Sequence, residues 1–187
     1  MHWLTFFLPF VLMVHNTVDF RGTGANDSYL NILNYTVTEY IDMLEENNQI
    51  KLVNKTGCMD ESGIYKIGLL FESYDQHNME SSRQMILGLI DSFLDALNNG
   101  CEGRLKPFLK GYPFTECNVD IKINFISNCK YPYPLPGIIK HVNFSEGMIT
   151  YNTENPRCLG RLEILRREPI CLARRSYAPV PITPYCP

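Results

Sequence analysis

The chain has 187 residues, with 17 Lys and Arg against 20 Asp and Glu and a formal net charge of −3. A charge this close to neutrality, with no basic tract, excludes the electrostatic footprint of a nucleic-acid binder. Apolar residues make up 45% and aromatic residues 12% of the chain, so it can bury a core, and wholesale disorder is excluded.

Taken in chain order, the first feature is the apolar run Trp3–Val14, which carries no acidic residue. It is shorter than the roughly 20 residues a membrane-spanning helix needs, and it has the length of a signal-peptide core. Residues 1–25 are therefore expected to be a signal peptide, cleaved between His15 and Ala25. Residues 26–187 then read as a single secreted, extracellular domain, with a sub-boundary near residues 100–116. No later segment is apolar enough for a membrane anchor. Four N-x-S/T sequons, at Asn26, Asn34, Asn54 and Asn143, agree with export and are expected to be glycosylated surface positions.

Leu30, Leu33, Val37, Ile41 and Leu44 recur at three- and four-residue steps and predict a helix over 28–46. The polar stretch Asn54-Lys55-Thr56-Gly57 reads as a turn. Ile64–Phe71 reads as a strand. Met85, Ile86, Leu89, Ile90, Phe93, Leu94 and Leu97 predict a second helix over 81–98, capped by Ser81 or Ser82 and stopped at Asn99-Gly100. Val119, Ile121, Ile123 and Phe125 alternate with polar residues, the pattern of a half-buried strand. Tyr131–Gly137 is proline-rich and must be extended. Ile138–Phe144, Met148–Tyr151 and Leu162–Leu165 are further strands, the first two joined by the short hairpin Ser145-Glu146-Gly147.

Seven cysteines, Cys58, Cys101, Cys117, Cys129, Cys158, Cys171 and Cys186, follow the signal segment. In an oxidising compartment they read as a disulfide framework. Their spacing lacks C-x-x-C, so no metal site is expected. Seven is odd, leaving one thiol free or paired with a second chain, for which a disulfide-linked homodimer is one arrangement. The fold class expected is α+β: a helical N-terminal half followed by a disulfide-rich antiparallel β half.

Chemistry is hard to find. Four histidines are present, and two of them, His2 and His15, belong to the signal segment. His77 and His141 remain as general bases, and Asp75-Gln76-His77-Asn78 reads as a loop and cap before a helix. No nucleophile elbow, H-E-x-x-H or phosphate loop occurs. No enzyme activity and no cofactor are expected. The arginines Arg161, Arg166, Arg167, Arg174 and Arg175 form a basic cluster that reads either as a solvated face or as a contact patch.

Leu165-Arg166-Arg167-Glu168-Pro169-Ile170-Cys171 resembles a hallmark of the interleukin-17 cytokines, in which an L-R-R-x-P strand is followed by a cysteine. Upstream, Lys130-Tyr131-Pro132-Tyr133-Pro134-Leu135-Pro136 is similar to that family's R-Y-P-x-x-L-P segment, and the resemblance covers residues 117–187. It implies a cystine-knot-like β fold, a homodimer and a cell-surface receptor as partner. Arg175–Tyr177 and Val180–Thr183 would then lie in a final strand. Cys158, Cys171 and Cys186 would be framework positions, and Arg166 and Arg167 partner contacts. The chain departs from the family in that Gly137–His141, directly after Pro136, carries no cysteine. A second likeness is the order of strand 65–71, helix 81–98 and strand 119–126, a β-α-β unit similar to the opening of a bilobed extracellular ligand-binding domain. The expected function is a secreted cytokine-like ligand; the alternative is a monomeric secreted protein that sequesters a protein or small ligand.

Overall fold

The structure is a computed structural model that describes residues 27–47, 50–60, 62–75, 77–100, 105–126, 137–155, 157–158 and 160–177. The elements run α1 (Asp27–Asn47), β1 (Ile50–Asp60), β2 (Gly63–Ser73), α2 (Met79–Asn99), β3 (Val119–Phe125), β4 (His141–Ser145), β5 (Met148–Glu154), β6 (Leu162–Pro169) and α3 (Ile170–Tyr177). The strands form one sheet in sequence order, β1-β2-β3-β4-β5-β6. All pairings are antiparallel except β2 with β3, which are parallel and joined across α2. The β-α-β order read from the sequence is present in this pair.

Alternation decides which side of the sheet is covered. Ile67, Leu69 and Phe71 of β2, Ile121 and Ile123 of β3, Val142 and Phe144 of β4, and Ile149 and Tyr151 of β5 are all buried. They face the stripe Ile86, Ile90, Phe93 and Leu97 of α2. α1 lies beside α2 on the same side: Tyr40 packs on Phe93, with ring centroids 5.1 Å apart, and its hydroxyl donates to Leu89 O at 3.1 Å. α3 packs on α2 and β6. Among the described residues the result is two layers, with three helices on one face of the sheet and none on the other.

Local chemistry explains the element ends. Asn78 caps α2, its side chain accepting from Ser81 N at 2.9 Å, so the cap lies three residues before the serine expected to provide it. The β4–β5 hairpin turns on Glu146 and Gly147, both with positive φ (52° and 72°), as a two-residue turn matching strand twist requires.

The expected fold class needs correction. The molecule is not a helical half followed by a disulfide-rich antiparallel half, nor is it cystine-knot-like. The sheet is mixed, its first two strands precede α2, and no disulfide joins the described cysteines. Cys58 in β1, Cys117 before β3, Cys158 in the β5–β6 loop and Cys171 in α3 are free and exposed, because they lie on separate elements at the surface. Cys101, Cys129 and Cys186 are outside the described residues. The stretch Asn54–Gly57 is not a turn but the middle of β1, held by register with Ile67 to Leu70. Arg175-Ser176-Tyr177 lies in helix α3 rather than in a final strand.

Candidate functional site

Arg166 and Arg167 lie on β6, the last strand of the sheet. Every side chain from Leu162 to Arg167 is exposed, including Leu162 at 49%, Ile164 at 60% and Leu165 at 47%. Leu172 on the following helix is exposed too. Apolar side chains interleaved with arginine are the composition of a protein contact surface. Arg167 Nε donates to Thr150 Oγ1 at 3.3 Å across the strand pair.

Beneath this edge lies a buried ionic cluster that the sequence reading did not find. Arg83 of α2 donates from Nε to Glu168 Oε1 at 2.8 Å and from Nη2 to Glu168 Oε2 at 3.3 Å. Its Nη1 pairs with Glu80. Tyr151 donates its hydroxyl to Glu168 Oε1 at 2.8 Å, and Arg166 reaches Glu168 Oε2 at 2.9 Å. Glu168 is therefore shared by two arginines and a tyrosine while almost wholly buried. Burial alone would raise its pKa, but the hydrogen bonds from Arg83 and Tyr151 and the charges of Arg83 and Arg166 outweigh it and hold the carboxyl below its ordinary value. The Glu168 hydrogen bond raises Arg83 further, and burial raises Tyr151. The signal was present in the sequence: Arg83 falls in step with Ile86, Ile90, Phe93 and Leu97, and a charge on an apolar stripe demands a buried partner.

The two remaining histidines sit at different places. His77 follows the carboxyl end of β2 and pairs with Ile139. Its ring stacks on Phe125 with centroids 4.5 Å apart, and burial lowers its pKa, against the opposing charge of Asp75. Both its ring nitrogens, together with Ser73 Oγ and Ser82 Oγ, are buried without hydrogen-bond partners. No hydrogen bond links His77 to a serine there, so the pairing that activates a serine nucleophile is not formed at His77. His141 lies on the helix-free face, where its Nδ1 accepts from Asn152 Nδ2 at 3.0 Å. Burial and then Lys122 hold its pKa low.

The helix-free face gathers two of the sequons. Asn54, Leu70, Lys122, Asn143, Thr150 and Arg167 form one cross-strand row from β1 to β6. Asn54 also borders a hollow of about 170 Å³ with Thr56, Gly68, Leu70, Asp120 and Lys122. Asn34 lies on α1, in the other layer, with its Oδ1 accepting from Lys55 Nζ at 2.7 Å. All three asparagines are partly buried, and Asn26 is outside the described residues. Among the described residues no group of histidine, cysteine and acidic side chains is placed to hold a metal ion, and no helix is long and apolar enough to cross a membrane.

Set against known proteins, the chain matches no family model, and neither a curated protein nor a solved structure is significantly similar to it.

Proposed function

We propose that this chain is an exported glycoprotein that acts by binding another protein, and that β6 is its contact strand. The observation that carries this reading is the exposed run Leu162–Arg167, which combines Leu162, Ile164 and Leu165 with Arg166 and Arg167 on a sheet edge that no other described strand covers. Glycans at Asn54 and Asn143 would rise from β1 and β4 on the helix-free face, and no sequon lies on β6 itself. Arg83, Tyr151 and Glu168 support the strand from below and fix Arg166, giving the contact a rigid base. Of the two binding roles, sequestration of a soluble protein is the better supported, because the cystine-knot-like fold that went with a cytokine is not the fold found. A receptor-directed ligand is the second reading, favoured by the exposure of the Leu165–Arg167 segment that carries the interleukin-17 resemblance.

The test is saturable binding of the labelled, secreted protein, measured on cells by flow cytometry and on soluble extracellular proteins by interferometry. Wild type is expected to bind saturably, and Ile164→Lys is expected to reduce this at least tenfold, with Lys122→Glu on the helix-free face unchanged. Equal binding by wild type and Ile164→Lys would overturn the reading. Binding to cells alone would favour the receptor ligand.

A further inference from the structure

Among the described residues the outer edge of β6 pairs with no strand, so it offers a row of free N–H and C=O groups to another chain. Its sequence is complementary to itself. Laid antiparallel against a second copy about a two-fold axis between Ile164 and Leu165, Glu163 of one copy stands opposite Arg166 of the other. Symmetry repeats that contact. Ile164 then meets Leu165 twice, and Leu162 meets Arg167. Opposite charges and branched apolar groups in directly opposed positions are the pairs that stabilise a two-stranded ladder.

The bulge in β6 makes this register work. Glu163 pairs with Thr153 of β5 and Arg166 with Tyr151, the register shifting between them. Thr153 and Tyr151 are two residues apart, so they share a face, and Glu163 and Arg166 share it with them. In a regular strand a separation of three would put those charges on opposite faces, and a two-fold axis perpendicular to the sheet could not match them. The Arg166 side chain is 48% exposed beyond its contact with Glu168, and Glu163 is exposed, with Oε2 accepting from Asn155 Nδ2 at 3.0 Å. Both retain accessible surface for a second copy. On the opposite edge of the sheet, the extra residue Val53 sets Lys51 and Lys55 of β1 on opposite faces, and the strand carries the sequon at Asn54.

We propose that the chain forms a homodimer by antiparallel pairing of two β6 edges, giving one continuous sheet across both copies. This rests on the reading of β6 as the binding surface and names the partner as a second copy. It requires no disulfide between the chains.

The test is the mass of the full-length secreted protein by light scattering over a dilution series, with and without reductant. The expected result is a dimer that survives reduction. Glu163→Arg sets two arginines against each other at both contacts and should weaken the dimer at least tenfold, and Ile164→Lys should do the same. Both variants are checked for unchanged thermal unfolding at a concentration where wild type is monomeric. Mixing Glu163→Arg with Arg166→Glu should restore a heterodimer, because each contact then pairs Arg with Glu. A monomeric wild type at all concentrations, or a dimer that both Glu163→Arg and Ile164→Lys leave intact, overturns the proposal. A monomer whose saturable binding is still lost in Ile164→Lys overturns the second copy alone, with β6 remaining a contact strand. A dimer that Ile164→Lys dissociates without changing binding to other proteins upholds the pairing and overturns the wider reading of β6.

Discussion

Arg83 is the residue that ties the helical layer to the edge strand. Its guanidinium holds Glu168, which is almost fully buried, so removing it leaves a carboxylate without compensation. Arg83→Met is expected to cost about 3–5 kcal/mol, read as a lower midpoint in urea unfolding. The pH dependence follows from the direction of the shift. Glu168 is held below its ordinary value of 4.5, so the unfolded chain binds its proton more tightly. The cluster's contribution is then complete above about pH 4.5 and is lost as pH falls below it. Arg83→Met should flatten that acid slope. Burial holds His77 and His141 below 6.5, which adds a loss in the same direction beginning at about pH 6.5. The alkaline side is governed by tyrosine. Tyr40 is pushed up from 10 to about 12 by burial, so its contribution is present below pH 10 and lost between 10 and 12. Tyr40→Phe should reduce that alkaline loss, leaving the share of Tyr151, which burial also raises, and should lower stability at neutral pH by about 1 kcal/mol through the lost hydrogen bonds to Leu89 O and Ser92. Titration of the unfolded, unreduced protein with a thiol reagent should label Cys58, Cys117, Cys158 and Cys171. Protection of all four would contradict their free state.

At the scale of elements, the helices and inner strands were legible because each carries one strong period. Leu33, Val37, Ile41 and Leu44 mark α1, and Val119, Ile121, Ile123 and Phe125 mark β3; all are buried as their spacing required. β1 was not legible, because Asn54-Lys55-Thr56-Gly57 has the composition of a turn. Its strand conformation comes from pairing with β2, a contact no local window contains. α3 was missed for a related reason: eight residues are too few to display a stripe, and its order rests on burial of Ile170 and Ala173. The β1–β2 connection gives a direct test. Gly63 has φ of 125°, and a Cβ there would lie 2.5 Å from Phe108 O, a backbone atom that cannot swing away. Gly63→Ala should lower stability by about 1–3 kcal/mol, measured by thermal unfolding. Gly68→Ala should be milder, because its new methyl meets the rotatable hydroxyl end of Thr56.

For the whole molecule, the number of cysteines suggested covalent staples, yet the described core is large enough to stand on packing. Phe93, Leu97, Ile121, Phe144 and Tyr151 are fully buried between the layers, and Phe93→Ala should cost about 3–5 kcal/mol. Composition carries no information on which cysteines approach one another, so the disulfide-rich half was an inference from class rather than from contacts. Arg166 and Arg167 were legible as surface residues, but the uncovered edge beneath them depends on the order of six strands, and so does the row that brings Asn54 and Asn143 to one face. The central claim is that the outer edge of β6 is where this molecule meets another polypeptide. Amide hydrogen exchange over Leu162–Arg167, followed at low and high concentration of the full chain, tests it most directly. The expected result is protection of β6 that rises with concentration while the β1 edge stays fast. Equal exchange of the β6 amides at both concentrations, with protection gained on β1 or on the helix-free face instead, would contradict it.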